Sequence, residues 1–395
     1  MRKAWRISLT IVVLVLCAAA ASFVVMQNQR ELRAALILEG YVPLEEAMLL
    51  AGYMPGYTPK DDSLLFVREQ SPQIELLFDL DEETAYKNRY RFTISGDTLR
   101  YAQLVWIRAE RLSGIVNCDF LYIDGILTME SITYAQHAWT TAFPPLVAHA
   151  GGGLRHPAGA LRYTNSIEAL IQNYNLGHRV FEFDLSLTSD HKLAAVHDWR
   201  NFGNLDGKPM SEAAWRAFVP LDGAYTTAML EDILDEMMVN ADMFIITDTK
   251  SYEAAPEEAL LQFRCLYDEA IKRDPALLSR VIPQCYDEAT FGYIMQTYEF
   301  PSVIYTLYAS EATLDEVTAF ALSQDRIKVV AIPVAEEDLL EGLPSLLAAA
   351  GKIVYVHTVN HFEDIIPLSK NGAAGFYTDY ITPDSFGVYR ETLSN

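Results

Sequence analysis

Val180-Phe181-Glu182-Phe183-Asp184-Leu185-Ser186-Leu187 alternates large apolar side chains with carboxylates and runs into Thr188, Ser189 and Asp190. A period of two in β-rich residues predicts a strand, on which residues two apart share a face. Phe181, Phe183 and Leu185 therefore point one way, and Glu182 and Asp184 the other. Further short apolar runs flank it: Leu146 to His149, Met243 to Thr247, Val281 to Gln284, Val303 to Tyr308, Ile327 to Pro333, Ile353 to His357 and Ala374 to Thr378. Helical stretches lie between most of them, among them Ser166 to Tyr174, Met229 to Val239, Glu257 to Lys272 and Leu339 to Ala350. Strands alternating with helices imply a parallel sheet. Eight such repeats after the Phe143-Pro144-Pro145 junction fit an α/β fold, the TIM (β/α)8 barrel, which takes about 250 residues.

In that fold the functional side chains stand at the C-terminal ends of the strands. Here those ends are polar. Ala148-His149-Ala150-Gly151-Gly152 closes the first strand, Glu182 and Asp184 lie on the second, and Thr247-Asp248-Thr249-Lys250 closes the third, with Ala195-Val196-His197-Asp198 between the last two. Two carboxylates aimed into one barrel mouth repel each other unless a hard cation sits between their oxygens. Oxygen-only ligation suits Mg²⁺ or Ca²⁺ rather than zinc. Asp248 is a candidate third ligand, and Lys250, two residues on, sets a positive charge beside any anion the cation holds. His149 and His197 reach the same rim from separate segments. An imidazole pair suits a reaction that needs a base for an attacking oxygen and an acid for a leaving alkoxide.

The chain has 395 residues and a formal net charge of −23, from 53 acidic against 30 basic side chains. Such a surface repels phosphate backbones, so nucleic acid is not expected as a partner. A small anionic substrate has to be met locally. Arg2, Lys3 and Arg6 precede an apolar run from Ile7 to Met26, long enough at about 1.5 Å per residue to cross a bilayer core. Ala18 to Ser22 also offers small residues to a signal peptidase, but an uncleaved anchor is the favoured reading. The basic head then places the N-terminus in the cytoplasm and the rest outside. Between anchor and barrel, a helix from Glu31 to about Ala51 and short β-rich runs (Ile74 to Leu80, Tyr90 to Ile94, Leu99 to Ile107, Phe120 to Ile123) suggest a small α+β unit without catalytic spacing. The expected plan is an anchor over 1–30, an α+β region over 31–143 and a barrel over 144–395. Cys118, Cys265 and Cys285 show no metal-ligand spacing and are expected to be free thiols.

Val147-Ala-His-Ala-Gly-Gly-Gly153, Tyr163-Thr-Asn-Ser-Ile-Glu-Ala169, Val180 to Asp190 and Val196-His-Asp198 resemble, in order and spacing, the opening of glycerophosphodiester phosphodiesterases. Ile246-Thr-Asp-Thr-Lys250 is similar to the family's third-strand acid-x-Lys element, Val356-His-Thr-Val-Asn360 to its seventh-strand Trp-Thr-Val-Asn, and Gly375-Phe-Tyr-Thr-Asp379 to its last strand. The resemblance implies His149 and His197 as the acid–base pair, Glu182, Asp184 and Asp248 as ligands of one divalent cation, Lys250 as a phosphate contact, and Asn165 beside the substrate phosphate. Three positions depart from it. Ala150 stands where many members have arginine, Thr164 replaces a glutamate, and Asp248 replaces the usual, longer glutamate. The expected reaction is hydrolysis of a small or polymeric glycerophosphodiester to glycerol phosphate and an alcohol. The alternatives are phospholipase-like cleavage through a cyclic phosphate and a non-catalytic extracellular binding barrel. Trp199, Phe202, Trp215 and Tyr225 are candidate pocket-lining residues, and His357 is placed to reach the mouth from its strand end.

Overall fold

The computed structural model describes residues 27 and 29–386, apart from 61, 70–73, 88–89, 117, 133, 158, 203–206 and 253. The apolar run from Ile7 to Met26 lies outside them, and no helix among the described residues is long and apolar enough to cross a membrane. The chain forms two compact units, Met1–Ile132 and Thr133–Asn395.

The first unit is α+β, with a five-stranded antiparallel sheet, a three-stranded sheet and a two-stranded hairpin. The helix expected from Glu31 to Ala51 is interrupted: Gly40 takes φ 82°, Tyr41–Pro43 becomes a strand paired with Leu104–Arg108, and a separate helix follows over Leu44–Leu50. Glycine tolerates that φ at no steric cost, and Pro43 has no N–H to continue a helix. Leu99 to Ile107, expected as one run, folds back on itself as Thr98–Tyr101 and Leu104–Arg108. The turn residues Ala102 and Gln103 both take positive φ, 52° and 64°, as a two-residue hairpin connection requires.

The second unit is the barrel. Its strands are β1 (Leu146–Ala148), β2 (Val180–Leu187), β3 (Phe244–Asp248), β4 (Val281–Cys285), β5 (Val303–Thr306), β6 (Ile327–Pro333), β7 (Ile353–His357) and β8 (Ala373–Thr378). All run parallel, and β1 pairs with both β2 and β8, which closes the sheet. The helices that alternate with them are α1 (Ile167–Asn175), α2 (Leu230–Val239), α3 (Pro256–Arg273), α4 (Glu288–Thr297), α5 (Leu314–Ser323), α6 (Leu343–Ala348) and α7 (Phe362–Lys370), and a further short helix, Glu212–Ala217, lies in the excursion between β2 and α2. The two faces of β2 separate as its period of two demands. Phe181, Phe183 and Leu185 pack outward with Leu170, Ile233 and Phe263 of the helices, while Val180 joins Val147, Ile246, Ile282 and Ile304 in the interior. Glu182 and Asp184 follow Val180 on that inner face, one step each nearer the C-terminal rim.

The barrel unit begins before the Phe143-Pro144-Pro145 junction. Trp139 is buried in the interior cluster and donates to Ser302 Oγ at 2.8 Å, and His137 Nδ1 lies 2.9 Å from the same hydroxyl. These contacts set Trp139 into the floor of the barrel.

Candidate active site

Each polar side chain at the rim has a local reason to be there. After β1 the backbone turns through Ala150, Gly151 and Gly152 at φ 51°, 82° and 87°, which leaves His149 facing the mouth. A Cβ on Gly152 would come within 2.5 Å of the Asn173 side chain, which itself donates to the Gly151 and Gly153 carbonyls and pins the turn. His197 arrives by a different device. Thr188 closes a tight turn by accepting from Lys192 N at 2.8 Å, and Leu193–Ala195 runs back antiparallel to the end of β2. Val196 N then donates to Asp184 O at 3.0 Å, so the next residue, His197, stands beside the β2 carboxylates.

His149 Nδ1 lies 2.9 Å from Asp379 Oδ1, just past β8. An ionised carboxylate only accepts, so Nδ1 carries the proton of that bond, and Nε2 turns inward to 4.0 Å from Glu182 Oε2. Asp379 is fixed in turn by Asn360, whose Nδ2 donates to Oδ2 at 2.8 Å and whose Oδ1 accepts from Asp379 N at 2.8 Å. Between the two histidines stands Tyr163, its ring centroid 4.7 Å from His149 and 5.5 Å from His197, edge-on to both.

Glu182, Asp184 and Asp248 are buried, and their ligand oxygens lie within 4.8 Å of one another. Glu182 Oε2 accepts from Ala150 N at 2.9 Å. Asn165 clamps Asp184 from both sides, donating to Oδ2 and accepting from its backbone N–H, each at 3.0 Å. Lys250 Nζ lies 2.9 Å from Asp184 Oδ1 and 2.5 Å from Asp248 Oδ2. Asp248 also accepts from the hydroxyls of Tyr286 and Tyr308. Around these groups is a cavity of about 170 Å³, lined by both histidines, Tyr163, the three carboxylates and Lys250, with Gln284, Thr306 and His357.

Residues 149–382 of this chain match the glycerophosphoryl diester phosphodiesterase family. The chain belongs to that family. It is a phosphoric diester hydrolase. Its fold is shared with a glycerophosphodiester phosphodiesterase from Parabacteroides distasonis, 17% identical, with a TM-score of 0.51 and coverage of 63% of this chain and 98% of that one. A protein from Silicibacter pomeroyi assigned to the same activity is 16% identical, with a TM-score of 0.51 and coverage of 66% and 99%. No curated protein matches the sequence significantly.

The electrostatics of this family member's site are those of an incomplete charge cluster. Burial, and then the Asp184 charge, push the Glu182 carboxyl up. Burial acts the same way on Asp184, but Lys250, both histidines and the Asn165 hydrogen bond together outweigh it and hold that carboxyl below the usual range. Lys250 is likewise desolvated, yet Asp248 and Asp184 raise it. For His149, burial opposes the charge, and the Asp379 hydrogen bond with the Glu182 and Asp184 charges overcomes it, raising the imidazole to about 9. His357 has less help. Burial and the neighbouring His149 lower it to about 4.

These residues fit a cation. The donors are hard carboxylate oxygens from β2 and β3, as Mg²⁺ or Ca²⁺ prefers. One ammonium faces three carboxylates, and among the described residues Glu182 has no Lys or Arg partner within ion-pair distance.

The structure brings together every site residue expected from the sequence: His149, Asn165, Glu182, Asp184, His197, Asp248 and Lys250. His357 does reach the mouth. Trp199 and Trp215, expected as lining, instead pack against each other at 5.4 Å in a buried cluster with Ala194, Val196 and Met229. Their large apolar area is worth more inside that cluster than at a wet rim. Tyr225 does line a cavity beside His197, as expected, joined there by Phe218, and the Phe202 side chain lies outside the described residues. Asp379, Asn360, Tyr163, Tyr286 and Tyr308 were not legible as site residues. Asp379 and Asn360 fall within recognisable motifs, yet their role depends on β8 closing onto β1.

Proposed function

We propose that the barrel hydrolyses a glycerophosphodiester to glycerol phosphate and an alcohol, with His149 and His197 as the acid–base pair. The observation that carries this is two imidazoles flanking Tyr163 at the edge of a three-carboxylate cluster, one of them aimed by Asp379. Glu182, Asp184 and Asp248 would hold one Mg²⁺ or Ca²⁺, and when bound it polarises the phosphoryl oxygens and offsets the charge that develops there. The chain's own groups do the rest. One imidazole accepts the proton of a water whose oxygen forms the new bond to phosphorus. The other gives a proton to the alcohol oxygen as its bond to phosphorus breaks, so that diester and water become glycerol phosphate and free alcohol. Lys250 helps keep Asp184 ionised and pairs with Asp248, and Asn360 keeps Asp379 on His149.

The test is product analysis by ³¹P NMR on a panel of glycerophosphodiesters, after chelation and after return of each metal. Open-chain glycerol phosphate formed only with metal is expected. A five-membered cyclic phosphate would put a substrate hydroxyl in place of water, and absence of any turnover would leave a binding barrel. We also infer, from Arg2, Lys3, Arg6 and the run to Met26, a membrane anchor with the barrel facing outward. Protease added to intact cells should then digest the barrel, and a protected or freely released barrel overturns that topology.

A further inference from the structure

Beside the phosphate cavity lies a second and larger one, of about 610 Å³. The two share a wall made of Tyr163 and His197. Beyond that wall the chemistry changes. The phosphate cavity offers Gln284, Thr306 and Lys250 to hydroxyl and phosphoryl groups, whereas the second is walled by Phe218, Pro220, Leu221 and Tyr225, with Arg162 as its charged residue. Arg162 pairs with no carboxylate among the described residues.

The loop that builds this second wall is anchored by buried Pro220 and Tyr225, and its tip stands out from the core. Leu221 and Asp222 take φ 45° and 55°, and Leu221 is left 64% exposed. Non-glycine residues in that region carry a local energetic cost, which persists where surrounding structure enforces it. Just beyond the tip, Thr226 ties the loop to α1, donating from both N–H and hydroxyl to Glu168 at 3.0 and 2.7 Å. A strained backbone that displays a leucine over a cavity, rather than burying it, points to a ligand that covers the leucine.

We infer that this cavity is the subsite for the leaving alcohol and that it selects an uncharged, apolar alcohol over a cationic one; the inference rests on the hydrolysis proposed above. A diester has two arms at phosphorus. The glycerol arm finds hydroxyl partners in the 170 Å³ cavity. The other arm passes His197 and Tyr163 into carbon-lined space, where each buried methylene favours binding and Arg162 repels a quaternary ammonium.

The experiment uses the full chain with metal and a series of glycerophosphoalkanols from ethyl to octyl, kept below micelle-forming concentrations. It adds glycerophosphocholine and its uncharged isostere, the 3,3-dimethylbutyl ester. The expected kcat/KM rises roughly fourfold per methylene over the first few carbons, the value of one buried CH₂. The dimethylbutyl ester should exceed the choline ester about tenfold or more, on the same scale of one further unit of discrimination. Leu221→Asp should collapse the octyl-to-ethyl ratio, and Arg162→Gln should shrink the dimethylbutyl-to-choline ratio. Because each readout is a ratio within one variant, a partly unfolded preparation does not imitate the effect. Turnover of the ethyl ester with a flat chain-length series, or a series unmoved by Leu221→Asp, overturns the subsite while leaving the hydrolase intact. No turnover of any ester overturns the hydrolysis itself and the subsite with it.

Discussion

At the floor of the barrel the buried Arg280 guanidinium donates to the carbonyls of Asn240, Met243 and Met237 at 2.9, 3.0 and 2.9 Å, and Lys352 Nζ donates to the carbonyls of Gln324 and Ile327. At the rim, Glu182, Asp184 and Asp248 crowd within 4.8 Å around one ammonium. Both ends bury charge, but the floor sets each cation among carbonyl dipoles, with only the Arg280 Nε–H left without an acceptor among the described residues, and the rim gathers like charges that do not satisfy one another. A satisfied buried charge contributes rigidity, and removing it strands its partners. An unsatisfied cluster is destabilising until something binds, which is the arrangement expected of a site. Substitutions at the two ends should therefore move different observables.

The largest effect is expected at the rim and on rate. His149→Ala and His197→Ala should each lower kcat by roughly 10²–10⁴-fold on a natural diester. The double variant should resemble the worse single one, because groups working as a unit are not additive. The urea midpoint of His197→Ala should stay close to wild type, whereas His149→Ala also loses the stability that the raised imidazole supplies below about pH 9. Near-normal rates in both single variants would remove the two-histidine mechanism and most of the site assignment.

The converse is expected at the floor. Arg280→Met leaves the carbonyls of Met237, Asn240 and Met243 without their donor, which should cost roughly 3–5 kcal/mol of unfolding free energy while kcat/KM below the transition is unchanged. A variant that keeps its stability and loses activity would show that the two ends are coupled.

His178 tests the same contrast through pH. It is buried in the segment between α1 and β2, with Nε2 3.1 Å from Ile381 O, and burial lowers it from 6.5 to about 4. With the folded value below the unfolded one, the unfolded chain binds the extra proton between them. Its contribution is complete above about pH 6.5 and is lost as pH falls toward 4. The loss should reach about 3 kcal/mol, at 1.36 kcal/mol per unit, and His178→Gln should flatten that limb of the stability profile. An unchanged slope in the variant would place the acid sensitivity in the carboxylate cluster instead.

What was legible in the sequence follows the same division between local and closing contacts. The barrel strands could be read because a strand covered on both faces is a continuous apolar run, and Glu182, Asp184, Asp248 and His149 because charge stands out at the end of such a run. Asp379 could not be given its role, since it meets His149 across 230 residues through the pairing of β8 with β1. Tyr163, Tyr286 and Tyr308 carry no formal charge, and Tyr163 reaches the site from a loop at φ 56° that has no periodicity to betray it. In the first unit, the turn at Ala102 and Gln103 lacks the glycine or asparagine that marks a hairpin, so two strands read as one. Trp139 sits in a stretch that ends Phe143-Pro144-Pro145, a loop signal, and only its contact with Ser302 reveals it as part of the floor.

The smallest of the expected effects isolates the rim's missing charge. Without divalent cation, Glu182→Gln relieves repulsion against Asp184 and Asp248 and keeps an oxygen to accept from Ala150 N. The apo variant should therefore be at least as stable as wild type, although it has lost a site residue. Adding Mg²⁺ or Ca²⁺ at a hundredfold excess over Kd stabilises a protein that binds it only when folded by about 2.7 kcal/mol. Wild type should gain that amount and the variant much less, so the order of the two melting curves should reverse between chelator and metal. Arg280→Met, altered at the other end, should gain as much from metal as wild type does, because its carboxylates are untouched. If wild type and Glu182→Gln respond alike to metal, the cation is not held by this cluster. If Arg280→Met fails to respond, the floor and the rim are not independent, and the contrast between them fails as well.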